Sequence, residues 1–227
     1  MLGKTHVSAG MAASLLVLQP VSIVPLACAL LGGALGGWIS DIDVRGAKLV
    51  RGTIVSVCVV ALAFASRFLA EMLSEVEALQ AMAPEMGPAS VVGAALFTGV
   101  TLLGSLTAHR TFTHSIAGCA LWYVAAYLLW PQVATAFGIG LCSHLIIDLL
   151  NKAPKGSMQL LFPLKTRVCL DMCRADGFAN ALIWSASVIV CVVYVGWLVF
   201  SRFLSGAGRR AIRKVAGAHH GAIMGRR

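Results

Sequence analysis

The chain of 227 residues is strongly apolar, with a mean hydropathy of +0.86 and only 12% charged residues. Soluble domains carry roughly twice that share of charge, which excludes an ordinary soluble domain. Apolar runs recur along the whole chain, so a single cleavable signal peptide does not explain them. Because a helix satisfies its own backbone groups in lipid, we predict an all-α, polytopic membrane protein with about five to seven apolar helices.

Two connections between the apolar runs differ sharply in charge. The loop 40–52 carries Arg45, Lys48 and Arg51, whereas the segment 71–88 is acidic and contains no Lys or Arg. The positive-inside rule therefore places the first loop in the cytoplasm and the second outside. The predicted spans, in chain order, cover residues 7–18, 21–39, 53–70, 89–108, 115–130, 134–150 and 180–200.

The end of the chain differs from the rest. We predict a single helical membrane domain over 1–200 and a basic, flexible tail over 201–227. The basic tail favours contact with lipid over nucleic acid, because no aromatic residues alternate with its charges. We assign His219 and His220 to this tail. The last span would place the tail outside, unless the basic connection 151–179 holds a re-entrant piece or one short span does not cross.

Ionisable residues from four distant parts of the chain fall at one predicted membrane face, the cytoplasmic one. Ionisable groups at membrane depth are costly, so they pair, line a cavity or bind an ion. Four of the six histidines and three of the nine acids are among them. We therefore predict a shared metal site built from His6, Asp41, Asp43, His109, His114, His144 and Asp148.

The strongest local pattern is SHLIIDLL, at residues 143–150. His144 and Asp148 are four residues apart, so they share one face of a helix. Imidazole plus carboxylate is a common ligand pair for zinc and similar divalent ions. The alternative is a His–Asp hydrogen bond that only stabilises the bundle.

The second pattern is DID, at residues 41–43. Two nearby carboxylates repel each other unless a cation or a proton lies between them. A helix C-terminus does not favour acids either, so Asp41 needs compensation that a metal would supply. The alternative is a solvated loop that ends the preceding helix.

The third pattern is HRTFTH, at residues 109–114. His109 and His114 are five apart, so a loop or a helix start would bring them together better than a continuous helix. Arg110 suits an anionic or phosphoryl group, or else serves as an interfacial positive charge. Neighbouring hydroxyl groups can cap the next helix or hydrogen-bond a ligating histidine: those of Thr111, Thr113 and Ser115.

Five segments stand in a characteristic order: THVSAG, GGWISDIDV, AHRTFTHS, SHLIIDLLN and GSMQLLFPLKTR. In this order the sequence resembles the YdjM-like family of bacterial inner-membrane proteins over roughly residues 3–170. That family is described as membrane-bound metal-dependent hydrolases. It is distantly similar to the all-helical zinc-dependent phospholipase C and P1 nuclease group. The resemblance implies a multi-pass protein of the bacterial inner membrane.

The resemblance also implies roles for individual residues. Either Asp41 or Asp43 is a ligand, and we assign Asp41 and Arg110 as catalytic. Zinc is the implied ion, as one or two ions per chain, because the second H-x-x-x-E pair of the phospholipase group is not evident. The implied metal ligands are His6, Asp43, His109, His114, His144 and Asp148.

These observations predict a metal-dependent hydrolase that uses metal-activated water on a phosphoester, such as a phospholipid headgroup. One alternative is a non-enzymatic metal-binding membrane protein with a scaffold or transport role. Another is a family member that keeps the fold without turnover. A transporter would place ionisable residues near the bilayer midplane, whereas these cluster at one end of the spans.

Overall fold

The computed structural model describes residues 1–44, 47–153 and 157–224, with side chains as far as residue 204 except at 203. Arg45 and the side chains of His219 and His220 lie outside the described residues. Within them the chain is all-helical, as the sequence predicts, with two short 3₁₀ helices and no strand. The α-helices are α1 (Gly3–Leu18), α2 (Ile23–Ile39), α3 (Lys48–Met72), α4 (Glu77–Met82), α5 (Pro88–Leu106), α6 (Ile116–Leu129), α7 (Pro131–Leu149) and α8 (Phe178–Met224).

Five segments are long and apolar enough to cross a bilayer, which confirms the predicted multi-pass class. They are Ile23–Asp43, Lys48–Met72, Pro88–Leu106, Pro131–Leu149 and Phe178–Arg202, and the apolar helix α6 is shorter. Helix α3 begins at Lys48, earlier than the predicted start at residue 53. The ammonium of Lys48 donates to the carbonyl of Thr107 at 3.1 Å, which holds this polar first turn against the end of α5.

Helix α2 packs backbone to backbone against α1 and α7 through glycines. A Cβ added to Gly10 would lie 2.2 Å from the carbonyl oxygen of Gly33, and one added to Gly36 would lie 2.0 Å from that of Phe137. Small residues permit such close approach between helices in a membrane. This packing brings together three helices whose ends carry the predicted site residues.

The apolar core lies between α2, α5, α6 and α7. Trp122 of α6 is fully buried, and its indole N–H donates to the hydroxyl of Thr101 on α5 at 3.0 Å. Phe97 and Phe137 meet in the same core with ring centroids 6.2 Å apart. Buried aromatic side chains with satisfied polar atoms give a rigid support for the loop that follows α5.

The connection from α7 to α8 contains no helix in its described residues 157–177. We call residues 157–173 the strap. Backbone hydrogen bonds fold the strap on itself and tie it to the site loop: Met158 with Val168 (3.0 and 2.9 Å), Gln159 N–H to the Arg110 carbonyl (2.9 Å), and Ile116 N–H to the Leu160 carbonyl (3.0 Å). The strap therefore lies across the end of the bundle, where α6 begins, and is not a crossing.

The chain forms two compact units, Met1–Cys191 and Val192–Arg227. The first unit contains every predicted site residue and the helices through the start of α8. The second unit consists mainly of the remainder of α8, which is helical to Met224. The predicted domain over 1–200 and the flexibility predicted for 201–227 remain predictions.

Candidate metal centre

The structure brings all seven predicted ionisable residues together at one end of the bundle. They come from α1 (His6), the 3₁₀ helix Ser40–Asp43 (Asp41 and Asp43), the loop after α5 (His109), the 3₁₀ helix Phe112–His114 (His114) and the last turns of α7 (His144 and Asp148). Five of them are at most 1% exposed. The side chains of Asp41 (17% exposed) and His109 (38%) reach the surface, so this side forms the mouth of the site.

Four donor atoms in the centre of the cluster face one another. Nε2 of His114 lies 3.2 Å from Nε2 of His144. Oδ2 of Asp148 is 3.4 and 4.0 Å from these two nitrogens, and Oδ1 of Asp41 is 3.7 and 3.8 Å from them. Ligands at ~2.0–2.1 Å around a tetrahedral zinc ion lie ~3.3 Å apart. The central quartet, as we call these four residues, thus has nearly the spacing that a small divalent ion requires.

The backbone of α2 orients the imidazole of His144. Its Nδ1 lies 2.8 Å from the carbonyl oxygen of Gly37. Because a carbonyl only accepts, Nδ1 carries the proton and Nε2 presents its lone pair to the quartet. Ligating histidines in metal sites are commonly oriented by such a bond.

A hydroxyl relay orients His114 in the same way. The hydroxyl of Thr113 donates to Oδ2 of Asp43 at 2.5 Å and lies 2.9 Å from Nδ1 of His114. Since its one hydrogen points to the carboxylate, the hydroxyl accepts from Nδ1–H of His114. Nε2 of His114 is therefore aimed at the quartet, as the sequence hypothesis of a threonine beside a ligating histidine suggests.

Asp43 holds the site loop with both carboxylate oxygens. Oδ1 lies 2.6 Å from Nδ1 of His109, and Oδ2 accepts from the backbone N–H of Arg110 at 3.2 Å as well as from Thr113. Both carboxylate oxygens of Asp43 are therefore engaged with the site loop, and the ligand role that the sequence assigns to it remains a prediction. Asp41, two residues earlier, faces the quartet instead.

Three overlapping groups of side chains in the described part of the chain have donor atoms within 4.8 Å of one another. Each group contains two histidines and one aspartate, and neighbouring groups share a histidine. These buried groups could hold a metal ion. They are His6–His144–Asp148, Asp41–His114–His144 and Asp43–His109–His114.

The imidazole of His6 gives an independent indication of a missing partner. It is 1% exposed and stacks on the ring of His144 with centroids 3.8 Å apart. Neither ring nitrogen makes a hydrogen bond, although Nε2 lies 3.2 Å from Oδ1 of Asp148. This close contact lacks hydrogen-bond geometry. Buried polar atoms are rarely left unpaired. An ion bound in the group of His6, His144 and Asp148 would give one of the two ring nitrogens of His6 a partner.

Asp148 collects several donors. Its Oδ1 accepts from the amine of Met1 at 2.9 Å and from the amide of Asn151 at 2.8 Å, while Oδ2 pairs with the guanidinium of Arg110 at 2.9 Å. Arg110 is buried and has a φ of 63°, in the left-handed region that favours glycine. Its backbone bonds to Asp43 and to Gln159 of the strap hold it in this conformation.

The family model described as YdjM inner membrane protein matches residues 1–207. The chain belongs to this family. The match includes every residue of the candidate site, and it confirms the resemblance seen in the five sequence segments. The comparisons with curated proteins and with solved structures each found no match. Together with the five spans, family membership makes this a multi-pass protein of the inner membrane.

One side chain of the candidate site, that of Asn151, was not predicted from the sequence. Asn151, which is 1% exposed, donates to Oδ1 of Asp148. The two residues are three positions apart, a spacing that brings side chains together at a helix end. The Asn at the end of SHLIIDLLN was therefore a signal that could have identified it.

A metal ion at His114 in this YdjM-family protein would compete with a proton, so its binding would depend on pH. Burial alone lowers the pKa of His114, but hydrogen bonds to Asp148 and Asp41 outweigh it and raise the pKa to about 9. Below that pH the metal-free imidazole is charged, so a metal must displace its proton. Metal affinity is therefore expected to rise about tenfold per pH unit from pH 6.5 to 8.5 and to level off above 9.

A zinc competition titration across this pH range measures the expected slope. Calorimetry in buffers of different ionisation enthalpy counts the protons released on binding. An affinity that does not change with pH, without proton release, would contradict the assignment of His114 as a ligand.

Proposed function

We propose that this protein is a metal-dependent hydrolase of the inner membrane, with one zinc ion held by His114, His144 and Asp148. The observation that carries the proposal is the pair of buried imidazole nitrogens 3.2 Å apart that face carboxylate oxygens. Nitrogen and oxygen donors at this spacing suit zinc. The unpaired nitrogens of buried His6, which groups with His144 and Asp148, support an ion beside these two ligands.

We assign Asp41 to the reacting water. A catalytic zinc site keeps three protein ligands and one open position. Asp41 is the most exposed residue of the quartet, with 17% of its side chain accessible, whereas the carboxylate of Asp148 is buried. A divalent ion bound here would supply a water of lowered pKa and polarise the substrate oxygen. Asp41 would accept the proton of that water as general base.

Arg110 is suited to hold the substrate. Its guanidinium lies 2.9 Å from Oδ2 of Asp148 and is 11% exposed at the edge of the quartet. A guanidinium makes paired hydrogen bonds to phosphate oxygens, and such bonds strengthen as charge develops on those oxygens. We therefore propose a phosphoester substrate with Arg110 as its anion contact.

The position of the site favours a lipid as the source of that phosphoester. The quartet lies at the ends of apolar spans. A span of this length has its ends near the headgroups, so we infer that the site lies at headgroup depth rather than at the bilayer midplane. A distant relationship to zinc-dependent phospholipase C and P1 nuclease enzymes, which we infer from the sequence motifs alone, would agree with phosphoester chemistry.

We place the site at the cytoplasmic face. Lys48 and Arg51 donate to the carbonyls of Thr107 and Val44, which lie close in sequence to the site residues His109 and Asp43, whereas the segment 71–88 at the opposite end of α3 is acidic. A reporter fused within 71–88 is expected to read as external. A cytoplasmic reading there would move the site to the outer face.

The Asp41→Asn variant is expected to keep its metal and to lose activity. Without the general base, turnover should fall about 100-fold or more. Hydrolysis of bis(p-nitrophenyl) phosphate and of a short-chain phospholipid by the zinc-loaded protein measures the rate, and elemental analysis measures the metal. Asp176→Asn, in the exposed connection, is the matched control and should keep the wild-type rate. Full activity in Asp41→Asn would contradict the assignment.

The burial of the cluster also favours a second candidate, a non-enzymatic metal-binding protein. His6, His114, His144 and Asp148 are almost fully buried, and closed sites are typical of structural metals. In that case the zinc-loaded wild type would turn over none of a panel of phosphoesters, while removal of zinc would lower its melting temperature.

A further inference from the structure

The strap exposes large apolar side chains although it lies outside the spans. Loops between spans usually present polar residues to water, and exposed apolar patches mark interaction surfaces. Four side chains of the strap are more than half exposed: those of Leu161 (56%), Leu164 (60%), Leu170 (60%) and Met172 (67%).

Cationic side chains alternate with these apolar residues. Lys165 and Arg167 are exposed between Leu164 and Leu170. The acid of the strap, Asp171, accepts a hydrogen bond from the backbone N–H of Ala153 at 3.0 Å. Asp171 is exposed as well, so the strap has two cations against one carboxylate and a net charge of +1. The basic pair Lys165 and Arg167 beside Leu164 complements an anionic partner.

The position of the strap identifies the partner as lipid. It follows α7 and precedes α8, both apolar enough to cross the bilayer, so it lies at a membrane surface. The backbone N–H of Leu170 donates to the carbonyl of Leu149 at the end of α7, at 2.6 Å. Irregular backbone exposed to lipid does not occur in the hydrocarbon region, which leaves the headgroup layer.

We propose that the strap lies in the headgroup layer of an anionic bilayer, with its exposed leucines at the acyl boundary and Lys165 and Arg167 on lipid phosphates. Segments with apolar and basic side chains take this position at membrane surfaces. Through Gln159, which bonds to the carbonyl of Arg110, the strap sets anionic headgroups beside the site loop. The proposal concerns a lipid contact and does not require that the protein be a hydrolase.

Depth-dependent quenching in vesicles of phosphatidylcholine and phosphatidylglycerol tests this proposal. An environment-sensitive fluorescent amino acid, introduced at position 164 of the full chain by amber suppression, avoids the native cysteines. Lipids with a spin label at carbon 5 should quench it at least about twofold more than those with a label at carbon 14. Labelled phosphatidylglycerol should quench more than equally labelled phosphatidylcholine, and K165Q/R167Q should abolish that headgroup preference. The same probe at position 161 repeats the measurement.

The matched control carries the probe at position 73, where Leu73 is 45% exposed beside the acidic segment. It should show no preference for phosphatidylglycerol. Stronger quenching from carbon 14 would make the strap a re-entrant segment and overturn the proposal. Water-like emission without quenching would place the strap in water and overturn the proposal too. A blue-shifted, unquenched probe in a dimeric protein would also overturn it, because a second copy would then cover the strap. Equal quenching by both headgroups in the wild type would refute the anionic contact.

Discussion

The His144→Ala variant is expected to bind zinc at least about 100-fold more weakly than the wild type. The substitution removes a lone pair that the Gly37 carbonyl orients towards the quartet, 3.2 Å from Nε2 of His114. It also removes the ring on which His6 stacks. Mutation of a residue that only hydrogen-bonds to a metal ligand typically lowers metal affinity about 10–100-fold, so loss of a ligand itself should cost more. Metal per chain after purification and competition with a zinc chelator measure the effect.

His109→Ala is the matched control, because it removes an imidazole of the same cluster that bonds to Asp43 and meets the quartet through an edge contact with the ring of His114, with centroids 5.1 Å apart. We expect affinity to fall about tenfold. Equal losses in the two variants would move the ion towards the group of Asp43, His109 and His114. Wild-type affinity in His144→Ala would rule out the quartet.

Gly36→Val is expected to destabilise the fold more than any surface change. A Cβ at this position would lie 2.0 Å from the carbonyl oxygen of Phe137, and a backbone atom cannot move aside as a flexible side chain can. Helices α2 and α7 would have to separate, which we expect to cost at least about 3 kcal/mol. The measurement is the melting temperature in detergent, together with the yield of monodisperse protein.

Gly99→Val provides the comparison, since nothing lies within 4 Å of a Cβ added at Gly99 of α5. Only the modest helix propensity of valine acts there, so its melting temperature should stay close to that of the wild type. Because α2 leads into Asp41 and α7 carries His144, Gly36→Val should lose metal as well. If both variants melted alike, the close packing of α2 on α7 would be wrong.

The sequence predicted the multi-pass class and the convergence of seven ionisable residues at one end of the bundle, because both depend on residue type. Their role as metal ligands stays a prediction. Long apolar runs identify spans by the thickness of the bilayer. Ionisable residues at membrane depth are rare, so His144 and Asp148 stood out without a structure. His6 was a weak signal by itself and was included because its hairpin returns it to the same face. We expected these residues to converge because successive spans cross the membrane in opposite directions, which puts the ends that carry them at the same face.

The roles within the site were harder to predict, because they depend on local geometry. Asp41 and Asp43 are two residues apart and chemically identical, and the 3₁₀ turn decides which one faces the quartet. The role of the Gly37 carbonyl, which orients His144, could not be predicted, because a backbone group leaves no mark on residue type. The relay from Asp43 through Thr113 to His114 depends on the 3₁₀ turn Phe112–His114, which brings the side chains of Thr113 and His114 to the same side as Asp43.

The strap shows a similar ambiguity. A short apolar run such as MQLLFPL is equally compatible with a re-entrant piece and with a surface segment. The distinction between the two depends on backbone pairing, of Met158 with Val168 and of Gln159 with Arg110. Both are contacts between residues distant in sequence. Such non-local pairing leaves no periodic pattern to read.

X-ray absorption spectroscopy at the zinc edge of the purified wild type tests the metal centre most directly. The account predicts a first shell of about four nitrogen and oxygen atoms at ~2.0–2.1 Å, with the outer-shell scattering of two imidazoles. His144→Ala should remove one imidazole or the whole signal. A first shell of sulfur at ~2.3 Å, or purified protein that takes up no divalent metal, would contradict the account.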